Sequence, residues 1–114
     1  MAKPIITVII PAYNEEQSIG KVVDDIPRSV VDHVIVVNNN STDKTVEVAK
    51  NAGAIVLDEP RRGYGWACLK GIDHSKTLNT EIVVFLDGDY SDYPEEIPDA
   101  VSYTHLRAHE TTDN

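Results

Sequence analysis

The chain has 114 residues, which is room for one compact domain and not for two. Nineteen acidic residues against ten lysines and arginines give a formal net charge of -9, which disfavours generic binding to nucleic acid or to anionic membranes. The composition, 41% hydrophobic and 25% charged, is that of a folded globular domain, and an acidic domain that handles phosphates needs a cation between the two.

Apolar runs alternate with amphipathic stretches along the chain, the pattern of repeated βα units around a parallel sheet. In chain order we predict a strand at residues 5–10, a helix at 18–26, a strand at 34–37, a helix at 43–52, a strand at 54–57, a helix at 65–75, a strand at 82–86 and a short helix at 94–100. Ser41 and Thr42 are suited to cap the second helix, and Gly53 to end it in the left-handed conformation. The predicted fold is α/β and Rossmann-like, a mainly parallel sheet with helices on both faces.

Cysteine content and hydropathy predict a soluble chain in a reducing compartment. Cys68 is the single cysteine, which excludes an internal disulfide and a cysteine-rich metal site. The longest apolar run, residues 5–10, is far shorter than the roughly 20 residues of a membrane span, and the N-terminus lacks the apolar stretch of a signal peptide. We expect a cytoplasmic location, compatible with attachment of a longer parent protein to the cytoplasmic face of a membrane.

One polar segment follows each predicted strand: residues 11–15, 38–43, 61–65 and 87–89. In sheets of this kind, ligands bind beyond the carboxyl ends of the strands, where the strand order reverses. If the fourth strand returns to the other side of the first, a crevice opens between their ends. We predict the functional site in that crevice.

Asp87, Gly88 and Asp89 follow the most apolar predicted strand. Side chains two apart on an extended chain point the same way, so both carboxylates can converge on one point. Such a pair favours Mg²⁺ or Mn²⁺, which prefer oxygen ligands together with substrate phosphates, and Gly88 would let a diphosphate approach the backbone. The alternative is an ordinary Asp-Gly turn. The position after the strand favours a metal site at Asp87 and Asp89.

The segment after the first strand combines a rigid turn at Pro11 with an aromatic ring and acceptors. Tyr13 can lie against a flat base, and Glu15 can accept a hydrogen bond from a ribose hydroxyl. The structural alternative is that Asn14 caps the first helix while Glu15 and Glu16 complement its dipole. Spacing alone favours this alternative.

Asn38 and Asn39 end the second strand, and their amides offer both donors and acceptors to the edge of a nucleobase. Turn chemistry and helix capping are the alternative, and the residues leave both open. Arg61, Arg62 and Gly63 precede the third helix and predict an anion site, with solvated surface charges as an equal alternative. Three side chains on that helix are expected to lie in the core and to have no catalytic or binding role: Trp66, Cys68 and Leu69. Two histidines are given no catalytic role: His33 and His74.

Four motifs in this order resemble the family 2 glycosyltransferases of the GT-A fold. They are residues 8–15 (VIIPAYNE), 36–43 (VVNNNSTD), 62–65 (RGYG) and 85–89 (FLDGD), and the resemblance extends over residues 5–98. Residues 89–96 (DYSDYPEE) look most like the branch of polyprenyl-phosphate sugar transferases, such as dolichyl-phosphate mannose synthase. Amides at residues 38–40 stand where the family usually has Asp-Asp-Gly or a similar acidic sequence, so the resemblance does not fix the nucleotide base.

The resemblance implies a metal-dependent transfer of sugar from a nucleotide-diphosphosugar, with a polyprenyl phosphate or a saccharide as acceptor. Mg²⁺ or Mn²⁺ would be held by Asp87 and Asp89. The implied donor-binding residues are Pro11, Tyr13, Glu15, Asn38, Asn39, Arg62, Gly63 and Asp87. The alternatives are a sugar-phosphate nucleotidyltransferase, which would carry a glycine-rich basic loop after the first strand, and a receiver-like interaction module with no enzymatic activity.

The family's catalytic domain is much longer than this chain. Residues 1–100 are therefore expected to be its N-terminal, donor-binding half, with the acceptor site and any general base downstream, so that the catalytic residues stay unknown and the isolated chain is inactive. Residues 101–114 resemble the translated read-through of a sequencing adapter and are expected to be a non-native tail. A genuine polar C-terminal helix is the alternative.

Overall fold

The structure, a computed structural model, describes residues 3–90. Four strands and three helices alternate: β1 (Ile6–Ala12), α1 (Ile19–Asp24), β2 (His33–Asn38), α2 (Thr45–Asn51), β3 (Ile55–Asp58), α3 (Tyr64–Lys76) and β4 (Ile82–Phe85). The strands form one parallel sheet in the order β3-β2-β1-β4. Strands β2 and β3 lie on one side of β1, and β4 lies on the other. The strand order therefore reverses after β3, as the predicted crevice between the ends of β1 and β4 requires.

Strand β1 is buried on both faces of the sheet, which explains its unbroken apolar run. Ile6, Val8 and Ile10 face one side and pack in a core cluster with side chains of α1 and α2. Ile9 faces the other side and packs with Ala67 of α3. The helices therefore lie on both faces of the sheet, as the sequence predicted.

Helix α3 packs on the sheet through its small residues. Ala67, Gly71 and Ser75 are buried and lie four residues apart, so they form one face of the helix. A Cβ atom built on Gly71 would lie 2.5 Å from Cγ2 of Ile9, so the glycine permits the close approach. Trp66 and Leu69 are instead 43% and 52% exposed, and their predicted place in the core was wrong.

Strand β1 runs two residues further than predicted and contains Pro11. The carbonyl of Ile9 accepts a hydrogen bond from Leu86, and that of Ala12 accepts one from Asn39 in the segment after β2. The backbone groups of successive strand residues point to opposite sides, so the nitrogen of Pro11 points to the β4 side, like the carbonyl of Ile9. It lies beyond Phe85, the last residue of β4 that pairs with β1. The proline costs no ladder bond there, so it does not end the strand.

The start of α2 differs from the prediction. Lys44 is the N-cap residue and makes no side-chain cap, while Oδ1 of Asp43 accepts a hydrogen bond from the backbone N–H of Thr45 at 2.9 Å. Ser41 and Thr42 instead bind the loop after β1, so the cap assigned to them was wrong. Gly53 has a φ of 94°, as expected for its left-handed position after α2.

The predicted helix at 94–100 and the tail at 101–114 lie outside the described residues. Within residues 3–90, none of the helices combines the length and the apolar character needed to cross a membrane.

Candidate functional site

A cavity of about 320 Å³ opens at the carboxyl ends of β1 and β4. It brings together six of the predicted site residues: Pro11, Tyr13, Glu15, Asn39, Asp87 and Asp89. Gly88, predicted to let a diphosphate approach the backbone, also lines it, together with three residues that the prediction left without a role in this site: Ala12, Tyr64 and Ala67. Asn38, Arg62 and Gly63 are not among its lining residues.

Asp87 and Asp89 are exposed side chains on the same cavity, as expected from their spacing after β4. Gly88 between them is buried, and a Cβ atom there would lie 3.2 Å from Cγ of Glu15. The hydroxyl of Ser18 donates to the carbonyl of Gly88 at 2.6 Å. Packing against the start of α1 therefore accounts for this glycine, and it fixes the backbone that carries both carboxylates.

Glu15 shows the electrostatic character of the cavity. Partial burial raises the pKa of its carboxyl, and the nearby carboxylates of Asp89, Asp43 and Asp87 raise it further, while a hydrogen bond from Ser18 opposes the shift. Glu15 and Asp89 also border a second cavity of about 330 Å³ on the side of α1. Negative charge is therefore concentrated at this edge of the sheet, where it favours a cation.

The oxygen donors present suit a hard divalent cation shared with a substrate. Within the described part of the chain, no group of three or more His, Cys, Asp or Glu side chains is arranged to hold a metal ion. Asp87 and Asp89 would supply two carboxylates and leave the other positions to water and phosphate oxygens. Mg²⁺ is bound in this way in many phosphate-handling enzymes.

Asn14 joins the loops that follow β1 and β2. Its backbone N–H donates to Oγ of Ser41 at 3.0 Å, and its Oδ1 accepts from the N–H of Thr42 at 2.7 Å. The N–H of Glu15 donates to Oγ1 of the buried Thr45 at 2.8 Å. Asn14 has a φ of 51°, which asparagine tolerates better than most residues. Its observed role is this junction, which holds Glu15 at the cavity, and not the helix cap weighed above.

The asparagines at the end of β2 bind the end of β3 and the loop that leads from it to α3. Nδ2 of Asn39 donates to the carbonyls of Glu59 and Arg61, both at 2.8 Å, and its Oδ1 accepts from the N–H of Gly63 at 3.0 Å. Nδ2 of Asn38 donates to the carboxylate of Asp58 at 3.0 Å. These partners lie far away in sequence, so spacing could not reveal them. The nucleobase contacts of Asn38 and Asn39 stay predictions.

Arg61 pairs with a carboxylate that the sequence analysis missed. Its Nε and Nη2 donate to the two oxygens of Glu59 at 3.0 and 2.8 Å, and its guanidinium lies 3.9 Å from the centre of the Trp66 ring. Glu59 is 2% exposed, and its contacts with Arg61 lower its pKa from 4.5 to about 2. The charge of Arg61 is thus compensated within the loop, whereas Arg62 is an exposed side chain.

Glu59→Gln is expected to destabilise the fold near neutral pH and to weaken its acid sensitivity. Because folding lowers the Glu59 pKa, the unfolded state binds more protons between pH 4.5 and about 2. This contribution to stability is therefore complete above that window and is lost as the pH falls through it. Urea unfolding at a series of pH values measures it, with the exposed Asp73→Asn as control. If the free energy of unfolding depended on pH in the same way in wild type and Glu59→Gln, this would contradict the lowered pKa of Glu59.

Comparison with known proteins decides the family. The profile described as Glycosyl transferase family 2 matches residues 7–107. The chain belongs to this family. This family 2 chain is 40% identical over 102 residues to an uncharacterised glycosyltransferase of Mycobacterium tuberculosis, a match that covers 90% of the chain and 44% of the relative. It is also 40% identical over 91 residues to the 4,4'-diaponeurosporenoate glycosyltransferase of Staphylococcus aureus, covering 74% of the chain and 24% of the relative.

Solved structures confirm the fold of the family 2 chain. Glucosyl-3-phosphoglycerate synthase from M. tuberculosis, in complex with Mn²⁺, UDP and glucosyl-3-phosphoglycerate, is 32% identical with a TM-score of 0.76. The match covers 87% of the family 2 chain and 39% of the synthase. Another structure of the synthase contains Mg²⁺ and UDP. The predicted family and the α/β, partial GT-A fold are confirmed, and the chain spans less than half the length of these relatives.

Proposed function

We propose that this chain binds the donor substrate in a glycosyltransferase that transfers sugar from a nucleotide-diphosphosugar. The observation that carries the proposal is the cavity between β1 and β4, where Asp87 and Asp89 meet Pro11, Tyr13 and Glu15. Acidic residues beside an exposed aromatic ring suit a ligand that is charged at one end and flat at the other. Residues 1–100 form the proposed donor-binding unit.

Asp87 and Asp89 are the proposed ligands of Mg²⁺ or Mn²⁺. The acidity of the cavity supports this assignment, since a diphosphate would otherwise be repelled by Asp87, Asp89 and Glu15. The solved synthase with UDP contains Mn²⁺ in one complex and Mg²⁺ in another. When bound, such an ion neutralises the charge that develops on a departing nucleoside diphosphate.

The nucleoside is proposed to lie on the β1 side of the cavity. Tyr13 is 53% exposed at the cavity and can stack on a base, and Glu15 can accept a hydrogen bond from a ribose hydroxyl. Arg62 and Gly63, directly before α3, are the proposed contacts to the anionic part of the donor. The overall reaction is displacement at the anomeric carbon of the sugar, with the nucleoside diphosphate leaving.

The acceptor and the catalytic base are not assigned to residues 3–90. One structure of the synthase holds UDP-glucose together with phosphoglyceric acid. A polyprenyl phosphate or a saccharide remains the acceptor predicted from the sequence, and a phosphate acceptor would need little or no base. Cytoplasmic location likewise stays a prediction. Family membership removes the basis for the nucleotidyltransferase and receiver-like alternatives.

Calorimetric titration of the chain with UDP, with and without Mn²⁺, tests the proposed function. We expect measurable binding of UDP in the presence of Mn²⁺ and at least about tenfold weaker binding in its absence, because the acidic cavity then repels the diphosphate. GDP in the same experiment measures the base preference. Equal affinity with and without the metal, up to saturating Mn²⁺, would refute metal-dependent donor binding.

A further inference from the structure

The loop of residues 59–63 uses both N–H donors of the Asn39 side-chain amide and one of the two lone pairs of its oxygen. A side-chain amide has two N–H donors, and those of Asn39 are used by the carbonyls of Glu59 and Arg61. Its oxygen accepts from the N–H of Gly63, and its backbone N–H donates to the carbonyl of Ala12 at 2.9 Å. Asn39 therefore connects the end of β1 and the end of β2 to the loop that leads into α3.

We infer that Asn39 is a positioning residue of the donor site, whose amide N–H groups hold the 59–63 loop against the sheet and do not read the nucleobase. What the loop serves depends on the proposed function, but its attachment does not. A contact from Nδ2 to a base would have to replace one of two 2.8 Å hydrogen bonds to backbone carbonyls. The geometry thus assigns both N–H groups of the amide to the loop.

The neighbouring contacts show what this loop places at the site. Tyr64, the first residue of α3, lines the donor cavity directly after the bonded Gly63. Arg62 is exposed in the middle of the segment that Asn39 holds at both ends. Gly63 has a φ of 128°, a conformation that side chains rarely adopt, so the turn into α3 is sharp and specific. Loss of the Asn39 bonds would release Arg62 and Tyr64 together.

Two variants of the full 114-residue chain test the attachment: Asn39→Ala, which removes the bonds, and Asn39→Asp, which places a carboxylate against two carbonyl oxygens. Trp66 is the single tryptophan and stacks on Arg61, so its emission reports the loop. The N–H of Arg61 donates to Glu59 at 2.9 Å and is not bonded to Asn39, so its hydrogen exchange reports the loop independently. We expect exchange about tenfold faster in Asn39→Ala, faster still in Asn39→Asp, and shifted Trp66 emission in both.

Thr7→Val is the matched control. It removes the buried hydroxyl contact of Thr7 with Thr80, at 2.6 Å, near the opposite end of β1. It should lower the melting temperature without altering Trp66 emission or Arg61 exchange. If one Asn39 variant fails to fold, the other still gives both loop measurements. Unchanged Arg61 exchange and Trp66 emission in a folded Asn39 variant would overturn the inference.

Binding of UDP and GDP in the presence of Mn²⁺ separates positioning from base recognition. If Asn39 positions the loop, both affinities fall by the same factor in the variants and their ratio stays that of the wild type. A changed ratio would show that Asn39 reads the base and would overturn the inference. If the wild-type chain binds neither nucleotide, the proposed function fails, and the loop measurements alone decide whether Asn39 holds the loop.

Discussion

Gly71→Ala is expected to destabilise the chain by about 2 kcal/mol, although alanine is the better helix former by about 1 kcal/mol. The added methyl group would lie 2.5 Å from Cγ2 of Ile9, a side chain with 0% exposure at the centre of the sheet. Cγ1 and Cδ1 of Ile9 lie only 3.2 and 3.1 Å from the same point, so relief of the clash requires the strand or the helix to shift. Chemical denaturation of both proteins measures the difference.

Gly65→Ala is the matched control in the same helix. A Cβ atom on Gly65 meets nothing within 4 Å, so this change should be neutral or stabilising by up to about 1 kcal/mol. In the double variant, the losses of stability caused by Ile9→Ala and Gly71→Ala should not add, because Ile9→Ala removes the atoms with which the new methyl group at position 71 clashes. Equal stabilities for the two glycine variants would contradict the packing of α3 on β1.

Asp87→Asn and Asp89→Asn are each expected to weaken the Mn²⁺-dependent binding of UDP by about 100-fold or more. Asparagine keeps the shape and one oxygen but removes the negative charge that a divalent ion requires, and loss of outer-shell groups alone costs about 10–100-fold in metal sites. Neither change should lower stability, because both side chains are exposed in a cavity crowded with carboxylates. Titration with UDP at several Mn²⁺ concentrations measures the effect.

Asp73→Asn removes the same charge from the exposed surface of α3, where Asp73 lies 3.8 Å from Lys76. It should leave the affinity for UDP and its dependence on Mn²⁺ unchanged. Wild-type affinity in both Asp87→Asn and Asp89→Asn would show that the metal, if it binds, is held elsewhere.

The sheet and the position of the site could be predicted because both depend on local patterns. Four short apolar runs separated by amphipathic segments specify parallel strands, and the polar segments that follow parallel strands lie at one edge of the sheet. Pro11 lies near the end of β1, and Tyr13, Glu15, Asp87 and Asp89 follow β1 or β4 within a few residues, so all five meet there. Chain position therefore brings them to the same edge of the sheet, where the junction at Asn14 holds Glu15 in place.

The contacts that hold the site could not be predicted, because they join segments distant in sequence. Asn39 binds residues 20 to 24 positions away, and no spacing rule distinguishes that role from a contact with a base. Trp66 and Leu69 are exposed because α3 approaches the sheet through Ala67 and Gly71, whereas apolar character alone favoured the larger side chains as core. The choice between these faces depends on how closely the helix packs.

Paramagnetic broadening of backbone amide resonances by Mn²⁺, in the presence of UDP, locates the bound ion on the chain directly. We expect the first signals to disappear to be those of residues 12–15 and 87–90, which surround Asp87 and Asp89, and we expect Mg²⁺ to bind without broadening them. Broadening centred on any other part of the chain, or none at Mn²⁺ concentrations that saturate UDP binding, would contradict the metal site at the carboxyl end of β4.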